Sequence, residues 1–96
     1  MEAVQLDFHV TPMRAERFWE AYRTAVPRVL AYGASGYVFL RTEDDPDHFV
    51  HISYWEDKAD FERFWLSEEM RETRRKLTGF YGQPLLAHWG TVLDHG

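Results

Sequence analysis

From Ala3 to Val10 the chain alternates, with Val4, Leu6, Phe8 and Val10 on one side and Gln5, Asp7 and His9 on the other. A period of two predicts a strand. Thr11-Pro12 reads as an N-cap followed by proline at the first helical position. Phe18, Tyr22, Ala25, Val26 and Val29 then recur at helical spacing, with Trp19 on the flank. Pro27 lacks a backbone donor, which predicts that the main helix ends near Val26. Gly33 and Gly36 mark the exit. Tyr37 to Arg41 reads as a second strand, and Glu43-Asp44-Asp45-Pro46-Asp47 as a turn. His48 to Trp55 is a third strand, with Val50, Ile52 and Tyr54 on one side and His51, Ser53 and Trp55 on the other. Asp57 is placed to cap a second helix carrying Phe61, Phe64, Trp65 and Met70 as its apolar stripe. Past Met70 this helix is mostly charged, and Gly79, with Gly82, marks its end. Pro84 to Leu93 reads as the last strand.

The order is strand, helix, strand, strand, helix, strand. It is built from a duplication. Val4 to Leu40 aligns without a gap on Val50 to Leu86, 46 positions later, and Glu16-Arg17-Phe18-Trp19 recurs as Glu62-Arg63-Phe64-Trp65. Nine of these thirty-seven positions are identical, where composition alone gives about two or three. The pattern predicts an α+β, ferredoxin-like βαββαβ domain over residues 1–96. Strands one and three should pair antiparallel at the centre of a four-stranded sheet, with both helices on one face. The open face should then be polar. Strands two and four are instead apolar on both sides, so we expect a homodimer whose sheets pack face to face.

Composition narrows the partners. The net charge is −5, and Lys and Arg are interspersed with Glu and Asp, which argues against nucleic acid. Cysteine is absent, so thiolate chemistry and iron–sulfur clusters are excluded. No apolar run approaches membrane-spanning length and no leader is evident, so the expected setting is cytoplasmic. Aromatic residues make up 17% of the chain, more than a minimal core requires.

The polar side of the central strands is the main chemical lead. If odd positions pair with odd, Asp7 lies near Ser53 and His9 near His51, all on one face, with His88 of the last strand within reach. Such a group is either an acid–base cluster or a set of half-buried polar residues satisfying one another. His48 and His51 fall on opposite strand faces and no metal-ligand spacing occurs, so no metal is expected. Trp19, Tyr22 and Trp65 are candidate walls of a cavity between helices and sheet for a flat hydrophobic ligand. A cavity there favours an enzyme, and a filled core favours a scaffold.

The segment HFVHISYWEDKADFERFWLSEEM resembles the antibiotic biosynthesis monooxygenase family, in a strand ending in Trp followed by a capped helix with Phe61, Trp65 and Ser67. The first half agrees in layout. The resemblance implies a dimeric α+β barrel and, for one branch, cofactor-independent oxidation of a phenolic, quinol or polyketide-like aromatic. His9, His51 or Asp7 would be the base, and Trp65, Tyr22, Trp19, Ser53 and His88 would contact substrate. The alternative is a non-catalytic ligand-binding or stress-associated dimer. The haem-degrading branch uses an Asn on strand one and a late helical His. This chain has no Asn, carries Asp7 near that place and reads Arg71-Glu72-Thr73-Arg74-Arg75 in the matching helix, so haem chemistry is disfavoured.

Overall fold

The computed structural model describes residues 1–81 and 85–96. Strands β1 (Glu2–His9), β2 (Gly36–Arg41), β3 (His48–Trp55) and β4 (Ala87–Thr91) form one antiparallel sheet in the order β2-β3-β1-β4. One face is covered by α1 (Ala15–Tyr22), a 3-10 helix (Val26–Tyr32), α2 (Lys58–Trp65) and α3 (Glu68–Leu77). This is the expected ferredoxin-like α+β arrangement, with β1 and β3 at the centre. Among the described residues no helix is long and apolar enough to cross a membrane.

Several boundaries move for local reasons. Thr11-Pro12 does not open a helix. The Thr11 N–H donates to the Phe80 carbonyl at 2.7 Å, and Val10 bridges to Tyr81, so this segment is tied to the chain after α3. Helix α1 begins only at Ala15, with no side-chain cap on it. It stops at Tyr22, and Pro27 sits in the first turn of the 3-10 helix. Gly33 ends that helix at φ +111°, and a Cβ there would meet an Asp60 carboxylate oxygen at 3.2 Å. The left-handed backbone favours glycine there, and any side chain would also have to push the Asp60 carboxylate aside by a few tenths of an ångström.

The second helix is broken in two. Asp57 caps α2 as expected, accepting from the Ala59 N–H at 2.9 Å. Ser67 then serves two helix ends with one hydroxyl. It donates to the Phe64 carbonyl at 2.7 Å and accepts from the Met70 N–H at 3.2 Å. This closes α2 and opens α3. Strand β4 is shorter than the expected Pro84–Leu93, and Gly82 and Pro84 lie outside the described residues.

The largest correction concerns the phase of β3. Its register on β1 pairs Val4 with Ser53, Leu6 with His51, Asp7 with Val50 and His9 with His48. Odd positions therefore face even ones. The inward side of β3 is Phe49, His51, Ser53 and Trp55, all buried beside Val4, Leu6 and Phe8. The outward side is His48, Val50, Ile52 and Tyr54. The 46-residue offset holds for the helices, where Phe18 and Phe64 are both 0% exposed. It fails for the strands, because Val4 points inward and Val50 outward. The connection from Trp55 to Phe64 is one residue longer than that from Val10 to Phe18. One residue is enough to reverse the faces of a strand.

Candidate functional site

The expected four-residue cluster is split between the two faces of the sheet. His51 and Ser53 are on the helix side, and Asp7 and His9 are on the open side. Asp7 thus meets Val50, not Ser53, and His9 meets His48, not His51.

On the open side Asp7 is the hub. The His48 Nε2 lies 2.8 Å from its Oδ1, and the Gln5 amide donates to Oδ2 at 3.1 Å. The His9 ring stacks on His48 with centroids 4.3 Å apart. His88, paired with Gln5 across β4, brings its Nε2 to 4.0 Å of the other Asp7 oxygen. Burial alone would raise the Asp7 pKa, but the hydrogen bonds from His48 and Gln5 outweigh it, and the carboxyl stays below its usual value. Sequence reading missed His48 here, although the period-two pattern already placed it with Val50 and Ile52. Among the described residues no three His, Asp or Glu side chains are arranged to hold a metal ion.

On the helix side the Tyr22 hydroxyl and His51 Nδ1 are 2.8 Å apart. Tyr22 is 0% and His51 1% exposed. Tyr22 is there because Ala15, Phe18 and Tyr22 form the buried stripe of α1. The other imidazole nitrogen, Nε2, is buried with no hydrogen-bond partner among the described residues. Burial pushes His51 down to about 4, so it is neutral at physiological pH. Burial likewise raises the Tyr22 hydroxyl well above its usual range. Ser53 is occupied, accepting from the Trp55 indole N–H at 2.8 Å.

The space expected between Trp65 and the sheet is filled. Phe61 stacks on Trp65 at 6.0 Å and meets Trp55 and Trp89 edge-on at 5.7 and 5.4 Å. The Tyr22 region is also packed, by Phe8, Phe18 and Phe39. His51 is 1% exposed and flanked by Tyr22 and Phe39, so those rings would have to move before any ligand reached it. Trp19 differs. It stacks on Phe39 at 5.4 Å and borders a surface cleft of about 300 Å³ that Glu16, Leu40, Arg41 and Phe49 also line. Phe39 also packs 5.7 Å from the His51 ring, edge to face, so its ring separates the cleft from the buried pair.

A four-stranded antiparallel sheet under helices, with a buried Tyr–His pair, defines a ferredoxin-like α+β protein with chemistry-bearing groups on its covered face. Residues 1–76 match the family model of the antibiotic biosynthesis monooxygenases, and the chain belongs to that family. No curated protein matches it. Among solved structures it is similar to an antibiotic biosynthesis monooxygenase at 19% identity and TM-score 0.87, covering 98% of this chain and 100% of that one. It is similar to PA3566 from Pseudomonas aeruginosa at 21% identity and TM-score 0.84, covering 97% and 94%. Rv0793 from Mycobacterium tuberculosis gives 15% identity and TM-score 0.84, covering 98% and 96%. At these identities the likeness is one of fold.

Proposed function

We propose that the protein is a monooxygenase that oxidises a small phenolic, quinol or polyketide-like aromatic with O₂ on the covered face of its sheet. The balance is SH₂ + O₂ → SO + H₂O, where an electron-rich substrate supplies the reducing equivalents. The observation that carries the reading is the unpartnered Nε2 of a neutral, buried His51 held by Tyr22. Two tautomers are available. If Nδ1–H donates to the Tyr22 oxygen, Nε2 carries a lone pair. If Tyr22 donates to Nδ1, Nε2 carries a proton.

Magnitudes favour the second tautomer in turnover. Imidazolium here is acidic, near 4, and an ordinary phenol lies near 10, so full proton transfer to Nε2 would cost about 8 kcal/mol. Ionisation to bulk water at pH 7 costs about 4 kcal/mol instead, and a neutral Nε2–H can then donate to the anion. The substrate should therefore arrive ionised, with His51 stabilising its anion. Aerated anthrone- and quinol-type substrates should give oxygen uptake above blank, reduced about 100-fold in His51→Ala. Uptake no greater than the blank would sink the reading.

The closed packing around Tyr22 and Phe61 favours a second reading, a non-catalytic ligand-binding dimer. It predicts that His51→Ala leaves ligand affinity and any turnover intact.

We also infer that a second copy of the chain covers the open sheet face. Val38 and Leu40 are 44% and 41% exposed there, beside outward-facing Ile52 and Tyr54. The polar set Asp7, His9, His48 and His88 would lie within that interface. Light scattering at micromolar concentration should return a dimer, and Leu40→Asp a monomer. A wild-type monomer would refute the inference.

A further inference from the structure

We propose that the cleft between α1 and β2 binds a planar aromatic anion, its ring against the Trp19–Phe39 stack and its acidic group on Arg41. This names the substrate class of the monooxygenase reading and rests on that reading only for the reaction, not for the binding.

Three observations converge on the cleft. First, its walls are flat. Trp19 and Phe39 lie within 14° of parallel, Phe39 and Phe49 within 18°, so a planar ring finds faces to stack on. Second, the cation at the mouth is held in place but not used up. The Arg41 guanidinium lies 5.1 Å from the Phe49 ring centre. Its Nε donates to the Pro46 carbonyl and its Nη1 to Glu16 at 3.1 Å. Among the described residues Nη2 donates to no side chain or backbone group, and Glu16 is mostly solvent-exposed. A ligand carboxylate or phenolate can therefore pair with Arg41 at the cost of one weak surface contact. A second guanidinium, Arg23, lies 6.0 Å from the Trp19 ring but is paired with Glu20 at 3.5 Å, so Arg41 is the cation on which the site depends. Third, Phe39 is the partition behind the cleft. It touches Tyr22 at 5.5 Å and His51 at 5.7 Å on its other contacts. A ring bound in the cleft therefore lies one side chain away from the buried Tyr22–His51 pair.

The test uses the full chain and two isosteric probes, 2-naphthoate and uncharged 2-naphthamide, without any turnover. In a ¹H–¹⁵N spectrum, 2-naphthoate should shift the Trp19 indole signal, identified by its loss in Trp19→Phe, more than that of Trp65. Arg41→Gln should weaken 2-naphthoate about 10-fold and leave 2-naphthamide within about two-fold. Phe39→Leu, which removes one aromatic wall while keeping the site apolar, should weaken both probes alike. Unchanged thermal melts would establish that the variants fold, and a variant that fails this control would be replaced by Arg41→Met or Phe39→Met, with the same predictions. Absence of saturable 2-naphthoate binding, or equal loss of both probes in Arg41→Gln, would overturn the proposal. Binding without oxygen uptake would leave this site standing and count against the monooxygenase alone.

Discussion

Trp19 and Trp65 hold equivalent places in the two halves and are both half-buried, yet one borders a cleft and the other lies close under an arginine. Trp19 lies across the gap to the sheet, on Phe39 of β2. Trp65 stacks on Phe61, one turn earlier in its own helix. The Arg74 guanidinium covers the Trp65 ring at 4.8 Å and donates to its backbone carbonyl. Arg74 can do so because Ser67 ends α2 and starts a second helix beside it. In the first half the chain leaves Tyr22 for a 3-10 helix whose buried residues, Val26 and Val29, serve the core. The place of the helix break, more than the residue at the site, decides which tryptophan carries the arginine cover.

The shared part of the two halves should break hardest. Phe18→Ala and Phe64→Ala each remove a fully buried ring and should each cost about 3–5 kcal/mol in denaturant unfolding. A cost near zero at one of them would show that the pseudo-symmetric core is not shared.

Next in size is the buried group with no counterpart in the first half. The folded pKa of His51 lies below its unfolded value, so the unfolded state binds the proton first. Its contribution is fully present above pH 6.5 and is lost as pH falls toward 4, about 3 kcal/mol over that window. Unfolding free energies measured from pH 7.5 to 4 should show this slope, and His51→Leu should flatten it. Asp7 acts lower on the scale. Its depressed pKa gives stability that is present above its unfolded value and lost only as pH falls through the folded one, below 3.8. A slope that survived His51→Leu would reassign the effect.

Smaller again is the contrast between the tryptophans. Trp65→Ala loses the Phe61 stack and the Arg74 cover, about 2 kcal/mol, and Trp19→Ala about 1. The reverse order in thermal melts would contradict the contrast between the two packings. The smallest effect is Glu16→Gln, with stability within about 0.5 kcal/mol of wild type because the Arg41 pair is exposed.

The order of elements, the central β1–β3 pair and the covered face were legible because alternation and helical spacing are local signals. The phase of β3 was not. Period two says which residues share a side, and the usual rule sends the apolar side inward. In β3 that rule chooses Val50, Ile52 and Tyr54, which face outward, over His51 and Ser53, which are buried. The gap-free repeat reinforced the error, because its offset is set by the helices. Tyr22 was legible as an apolar-stripe residue with a polar tip, but its bond to His51 depends on the same phase. The roles of Arg41 and Phe39 arise from the packing of β2 against α1. Only the shared side of Tyr37 and Phe39 could be read beforehand. Ser67, the cap that splits the second helix, was visible as a residue type but was masked by a continuous apolar stripe.

The extra residue between Trp55 and Phe64 can also be seen as a genetic event. No set of single substitutions in a strand exchanges its two faces without passing through chains with a charged core and a greasy exterior. One inserted codon in the following turn does it in a single step. It carries a histidine and a serine inward together and leaves valine, isoleucine and tyrosine outside. Length variation in that turn is therefore a route by which chains of this architecture can gain or lose a buried titratable group and, with the same change, an adhesive outer surface.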